Sequence, residues 1–489
     1  MSIWGRMLGL LGFRASYDAA DTSRINTHRV AAAGNAEPDR ALLPELEAIR
    51  NRARHELRSN GYARGMQRTL AEDVVGPHGP GLQINVPDTA GEAGEGFADE
   101  IEQAWCDWCK TCDLSSRGGL TDILNVCVHE LLPAGEFLLQ LITAPDRKGV
   151  TLGVLPIAPE RLETPLRMVA DRAWRGGIHI DANGRPIEYA ILKQHPGSYS
   201  HQFNLDYDVV PAAALLHGFF VLSPGQSRGE PLLTSVLENF GQLREFVRAT
   251  ILAARSAAVL GAGFIEDAVP GVEAPGLEDD LPILDIEPGT LTSLPSGKKI
   301  SQLQAAHPAT TFEMFKREML SEIGRPLSFP LMRMTLDASK HNFSSARMDI
   351  QTYWGTVQCI QALLQRRVLD PLLTEFVREY RLVARRAVPA GWKAVWNWNT
   401  APQVDPSKET DAARSRMASG LSNLAAECQA IGRDWKDNID QMARVQEYAT
   451  AKGVAITFEK TAGPAGQNSE PSAAPDASPE DAHAVSAST

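Results

Sequence analysis

Cysteine is scarce in this chain. Six in 489 residues are too few for a disulfide framework, and that sparseness fits a reducing compartment. Basic charge is not in excess: 48 Lys and Arg stand against 60 Asp and Glu, a formal net charge of −12. That balance excludes a wide basic surface that coats nucleic acid, but not a body that surrounds DNA without gripping it. Long apolar runs are missing too. A bilayer span needs roughly 20 apolar residues, and the nearest candidate, ATILAARSAAVLGAGF at 249–264, is interrupted by Arg255. The opening MSIWGRMLGLLGF lacks a clear small-residue cleavage site. It reads as a short amphipathic or unstructured arm rather than a signal peptide. There is no P-loop, paired zinc-ligand helix or glycine-rich dinucleotide turn, and no repeat of solenoid length.

What is present is a globular composition, 43% hydrophobic and 22% charged, in a chain long enough for about two to four structural units. Apolar residues at helical spacing predict helices over 44–60 (Leu46, Ile49, Leu57) and 62–76 (Met66, Leu70, Val74), separated at Asn60-Gly61. GLQINV then reads as a strand, and helices follow over 95–112 and 119–132. From 135 to 222 the segments are short, apolar or alternating, and bounded by Gly, Pro and Asn, which is strand patterning. IHIDANGRPIEYAI predicts a hairpin around Asn183-Gly184. Its DANG is a plain turn, since no Glu closes a calcium loop.

A long helix is expected at 231–262, with Val236, Phe240, Leu243, Val247 and Ile251 on one side and Pro231 in its first turn. At about 1.5 Å per residue it would run roughly 45 Å, the length of a pillar in an assembly. Residues 263–308, rich in Pro, Gly and acid, read as a small separate lobe, and TTFEMFKREMLSEIG (310–324) as a helix with a Thr310–Glu313 capping box. The apolar stretch 325–342 reads as a loop. A helix over 343–369 is capped by Asn342 or Ser344 and broken or kinked at Asp370-Pro371, with a further helix to about 386. The segment from about 405 to 455 is helical, and the Ala/Pro/Ser/Gly-rich tail 462–489 cannot bury a core.

Three constellations invite chemistry. WCDWCKTC places Cys106, Cys109 and Cys112 at successive three-residue steps. An iron–sulfur site would need a fourth ligand where Ser116 stands. A zinc site could recruit Cys127 and His129, but the stretch has no Gly or Pro to make a knuckle turn. Three such positions cover about 120° of a helix, so a buried stripe continuing Phe97, Ile101 and Trp105 is preferred. GQSRG (225–229) is a literal G-x-S-x-G between a strand and a helix, with Asp279, Asp280 or Asp285 and then His307 or His341 downstream in hydrolase order. Pro224 and Pro231 loosen that turn, and no glycine-rich oxyanion loop precedes it. A serine hydrolase using Ser227 is therefore a secondary reading, as is a metal-binding interaction protein using the cysteines. Arg50, Arg52, Arg54, Arg58, Arg64 and Arg68 form a solvated or partner-facing helix surface more readily than a phosphate site.

Several segments together resemble lambda-type phage portal proteins: YARGMQRTLAEDVVGPHGPGLQI, the W-x2-W helix followed by CDLSSRGGLTDI, GGIHIDANGRPIEYAIL, PGQSRGEPLL, HNFSSARMDIQ and VWNWNTAPQVDPSKETDA, in that order from about 45 to 455. The cysteine triplet and the tail are not part of that resemblance. It implies a multidomain α+β chain with the portal fold, built as a ring, usually of twelve copies, at one vertex of a phage capsid. It implies no enzyme activity and no cofactor. Double-stranded DNA would pass the channel without sequence readout, for packaging and ejection. Partners would be the large terminase, the major capsid or scaffold protein and the head–tail connector, with no membrane. The chain would be assembled in the bacterial host cytoplasm and reside in the virion.

The implied division is an N-terminal arm (1–40), a wing (41–228, with a return at 343–400), a stem helix (229–262), a clip (263–308), a second stem helix (309–324), a tunnel loop (325–342), a crown (401–461) and a disordered tail (462–489). Leu331, Met332, Arg333, Met334, Lys340 and His341 would line the DNA channel.

Overall fold

The computed structural model describes residues 36–87, 91–147, 149–198, 206–258, 262–266, 298–302, 309–385, 388–401, 406–454 and 456. The tail, residues 1–35 and most of the predicted clip, including Asp279, Asp280, Asp285 and His307, lie outside them. The chain is mixed α and β, as the pattern predicts. Two compact units divide it, one to Asp434 and one from Trp435 onward.

The first unit opens with α1 (Pro38–Leu42), α2 (Leu46–Ser59) and α3 (Gly61–Val75). Asn60 separates the last two: its extended backbone ends α2, and its side chain accepts a 3.0 Å bond from the Tyr62 N–H to cap α3. Strand β1 (Gly81–Asn85), α4 (Gly91–Cys109) and α5 (Leu120–Leu131) follow.

The β-rich part then forms two antiparallel sheets. β2 (Glu136–Thr143) sits between β3 (Leu152–Ile157) and β8 (Leu215–Phe219). The other sheet runs β4 (Trp174–Arg175), β5 (Ile178–Ile180), β6 (Pro186–Leu192), β7 (Tyr207–Pro211) in order. The β5–β6 hairpin turns at Gly184 (φ +81°), as NG predicts. Successive strand side chains point to opposite faces, so β2 serves two cores. Phe137 and Leu139 join the large helical core, while Leu138 joins Ile157, Ile178, Tyr189, Ile191 and Val210 in a smaller one between the sheets.

The long helix α6 (Leu237–Ala258) starts later than expected. The Leu232 and Leu233 N–H groups donate to Leu131 and Leu132 carbonyls at the end of α5, and Thr234–Val236 is a 3-10 turn. These tethers hold residues 231–236 out of the helix, so its 22 residues span about 33 Å rather than 45 Å. β9 (Ala262–Glu266) and β10 (Lys298–Gln302) pair antiparallel and precede α7 (Ala309–Gly324), which lies beside α6 through Phe246, Phe312 and Phe315. Thr310 is inside α7 rather than ahead of it, and Glu313 pairs with Lys340.

The stretch 325–342 is not a plain loop. It holds a 3-10 turn (Arg325–Leu327) and a short helix, α8 (Leu331–Thr335). α9 (Phe343–Leu364) is capped by Asn342, whose side chain accepts from the Ser345 N–H at 2.8 Å. No break occurs at Asp370-Pro371. A π-helical turn, Gln365–Leu369, absorbs the mismatch, with the Asp370 N–H donating to the Gln365 carbonyl, and α10 (Asp370–Ala384) continues. β11 (Lys393–Asn397) pairs with β1, and α11 (Pro406–Ala418) and α12 (Leu424–Ala430) complete the unit. The second unit is described by α13 (Trp435–Ala451), in which Ala449 is buried while Ile439, Met442 and Val445 are exposed.

An aromatic cluster anchors the large core. Trp105 stands 5.0 Å from Trp108, 5.2 Å from Phe376 and 5.8 Å from Trp396, centroid to centroid. Both exposed-prone indole N–H groups are satisfied: Trp108 donates to the Leu152 carbonyl and Trp396 to Asp370.

Candidate functional site

GQSRG does not make a nucleophile elbow. Gly225 turns at φ +87° and Gln226 braces the turn, accepting from the Leu222 N–H and donating to the Arg228 carbonyl. The Ser227 hydroxyl is buried with no hydrogen-bond partner among the described residues, and its N–H donates to Asp39. The histidine of this region, His217, faces Glu136 and Tyr189 instead, and His341 faces Asp349. Among the described residues no base reaches Ser227, so the hydrolase reading finds no support in this geometry.

The motif's working residue is Arg228. It is buried, and its Nε and Nη2 donate to Glu136 Oε1 at 2.8 and 2.6 Å. Its remaining donors reach the Pro159, Leu162 and Gly176 carbonyls. Arg50 Nη2 donates to the same Glu136 oxygen at 2.9 Å, and Arg50 also bonds the Ala134 carbonyl. The other carboxylate oxygen accepts the Gly229 N–H at 2.6 Å and lies 3.2 Å from His217 Nε2. Gly229 cannot be replaced without movement, because a Cβ there would sit 2.2 Å from the Gly135 carbonyl oxygen. Burial would raise the Glu136 pKa, but Arg228 and Arg50 outweigh it and hold the carboxyl well below its usual range. Burial keeps the His217 imidazole below its ordinary value, against the pull of Glu136. One anion therefore faces two cations and a neutral histidine, with all three Arg228 nitrogens and the Nε and Nη2 of Arg50 bonded to oxygen.

The arginines of α2 and α3 divide. Arg50 belongs on the buried stripe with Leu46, Ala53 and Leu57, contrary to a wholly solvated face. Arg54 bridges Glu130 and Glu160, and Arg68 pairs with Glu72 along its own helix. Arg52 and Arg58 are exposed.

The cysteines do not share a surface. Cys106 is exposed, Cys109 half-buried and Cys112 buried beyond the end of α4. Trp105 and Trp108, rather than the three thiols, continue the stripe of Phe97 and Ile101. Burial pushes the Cys109 thiol up, and the Cys112 thiol up to about 12, the wrong direction for metal-binding thiolates. Cys127 is in the core, and no group of three His, Cys, Asp or Glu among the described residues is arranged to hold a metal ion. The metal-binding reading of Cys106, Cys109 and Cys112 fails on that geometry.

The six residues predicted for the channel fall in and just after α8. Met334 is buried; Leu331 and Met332 are half-buried. Arg333 donates to Asp73 at 3.2 Å, and Asp73 also accepts the Tyr353 hydroxyl at 2.9 Å. Lys340 pairs with Glu313, and His341 lies 3.8 Å from Asp349. Leu336, 82% exposed, stands in the left-handed region at φ +53°. Beside it opens a cleft of about 740 Å³ between α3, α6, α7 and α8, to which Arg244, Arg248, Lys316 and Arg333 contribute positive charge. Arg244 is paired with Glu56 and Lys316 lies over the Tyr62 ring.

Sequence reasoning missed Glu136, His217, Glu56 and Asp73. A single acid opening the apolar run EFLLQLIT was the available signal for Glu136; the others look like ordinary helix or strand polar residues.

Comparison with known proteins gives a consistent match. The sequence pattern of "Phage portal protein, lambda family" matches residues 25–361. The probable portal protein of Halomonas phage phiHAP-1 is 26% identical over 450 residues, covering 88% of this chain and 85% of that one. Among solved structures, a chain of the native gene transfer agent virion aligns with TM-score 0.45 and 12% identity over 88% of this chain and 99% of its own length. The HK97 family phage portal protein of Corynebacterium diphtheriae aligns with TM-score 0.36 and 12% identity over 73% and 96%.

Proposed function

The chain is a phage portal protein of the lambda family, and from that premise we propose that it works as a ring of copies, usually twelve, at one vertex of a capsid. The ring surrounds the path by which double-stranded DNA is packaged and later ejected, without sequence readout. The large terminase, the major capsid or scaffold protein and the head–tail connector dock on it, and the chain ends in the virion after assembly in the host cytoplasm. The family match over 25–361 carries this reading.

Two features of the chain support the ring. Ile251 and Leu252 on α6, and Met314 and Phe315 on α7, are 41–65% exposed, although they are apolar and belong to a packed helix pair. Apolar faces of that kind ask for a neighbour, and a heterologous contact repeated by rotation closes a ring. The net charge of −12 suits a conduit, since repulsion lets DNA slide where tight phosphate contacts would stall it.

In this reading residues 41–228 with 343–400 are the wing, 229–262 and 309–324 the stem, 263–308 the clip and 401–461 the crown. Residues 325–342 are the tunnel segment, with Leu331, Met332, Arg333, Met334, Lys340 and His341 toward DNA. Electron microscopy of the purified full chain tests it: rings with a central hole are expected. A monomer under all conditions, with capsid and terminase partners included, overturns it.

A further inference from the structure

Six pieces of chain meet around one buried carboxylate, with 134–136 counted as one. Arg50 comes from α2, Ala134 and Gly135 from the end of α5, Glu136 from β2, Pro159 and Leu162 from the link after β3, Gly176 from the β4–β5 turn, His217 from β8, and Arg228 with Gly229 from the turn before α6. Of these, only the last leaves the β-rich half. Three and four residues after Gly229 the backbone is bonded to Leu131 and Leu132 at the end of α5, and then α6 begins. A second ion pair reinforces the same path: Glu56, six residues along α2 from Arg50 and only 6% exposed, meets Arg244 in the second turn of α6. One helix, α2, thus grips the start of α6 on both sides of its first turn.

We propose that Glu136, acting through Arg228 and Gly229, is the joint that sets the direction in which the chain leaves the β-rich wing and enters the stem helix, and thereby the wedge angle at which copies of this chain close. The joint rests on geometry. A carboxylate oxygen that receives two bonds from Arg228 and one from Arg50 tolerates little rotation, because each bond is directional and each group is withdrawn from water. The Gly135–Gly229 approach, too close for any Cβ, pins the two backbones at the same point. A small change in the exit angle there is magnified along a helix of 22 residues, about 33 Å. The wedge-angle half of the proposal rests on the ring reading above; the joint itself does not.

The test uses the full chain and two variants, Glu136→Gln, which keeps the shape but removes the charge, and Arg228→Lys, which keeps the charge but removes the fork. Hydrogen–deuterium exchange is followed by peptide mass spectrometry, and ring size by native mass spectrometry. In either variant the amides of 225–236 are expected to exchange faster by on the order of tenfold, while those of α3 and α9 keep native protection. Ring sizes are expected to spread from one stoichiometry to two or more. Unchanged exchange at 225–236, or an equal rise everywhere, overturns the joint. Local loosening with a single unchanged ring size overturns the wedge angle and leaves the joint standing. If the unaltered chain forms no ring, the ring reading falls, while the exchange arm still decides the joint.

Discussion

Around Glu136, two arginines, a histidine and one carboxylate are buried together, whereas at 325–342 an arginine, a lysine and a histidine meet Asp73, Glu313 and Asp349 one by one near the surface. Both regions pair basic side chains and a histidine with carboxylates. Their surroundings differ. In the first region water is excluded, each charge depends on the others, and removing one strands the rest. In the second, most pairs touch solvent, so each can open and exchange partners with small effect. A rigid joint suits the first arrangement. The role proposed for 325–342, a segment that rearranges as DNA passes, suits the second.

The sharpest break of that contrast is Glu136→Leu. It leaves Arg50 and Arg228 buried without an anion and is expected to cost about 3–5 kcal/mol, read from urea denaturation; a loss below about 1 kcal/mol would put the two regions on one footing. Next comes Gly229→Ala. A Cβ 2.2 Å from the Gly135 oxygen forces the backbones apart, at roughly 1–3 kcal/mol, where an alanine scan of 336–341 should leave the denaturation midpoint almost unmoved.

Acid offers a third test. His217 has a lowered folded-state pKa, so the unfolded chain binds the proton first, and stability is expected to fall as pH drops below 6.5, its ordinary value. Glu136 has a depressed pKa, so its contribution is complete above 4.5, its ordinary value, and is lost as pH falls through its folded value. Thermal melts between pH 7 and 3 should show both losses, and the upper one should vanish in His217→Asn. Melting that is flat from pH 7 to 4 would argue that the cluster is not sealed from water.

The smallest effects belong to the proposed tunnel segment. Arg333→Ala leaves Asp73 with Tyr353 and is expected to cost about 1 kcal/mol. Lys340→Ala is expected to leave the denaturation midpoint unchanged, yet to lower DNA packaging in a complementation assay. Normal packaging by both variants would remove these side chains from the DNA path.

Most helices were legible before any coordinates, because a helix declares itself through residues three and four apart. α2, α3, α5 and α9 begin and end within a few residues of their predicted limits, Asn342 caps as expected, and Asn60, expected only as a break, also caps α3. The errors share one cause. α6 starts late because backbone N–H groups at 232 and 233 bond to the end of α5, and the proline at 371 is absorbed by a π turn. Neither fact is local. The site was read least well. GQSRG was noticed for its serine, while the structure uses its arginine and its second glycine. Ion-pair partners such as Arg50 and Glu136 are 86 residues apart, and Arg333 and Asp73 are 260 apart. No periodicity links such positions.

By itself, the sequence determined the secondary structure of the long helices, the strand-rich middle, the hairpin at Asn183-Gly184 and, through its ordered motifs, the family. All of these depend on neighbours within a turn or two of the chain, or on residues that can be compared one by one. Tertiary structure alone decided which charges are buried. Packing brings five separate segments to the one that carries Glu136 and withdraws them from water, and the strength of an ion pair is set by that withdrawal, which no linear pattern encodes.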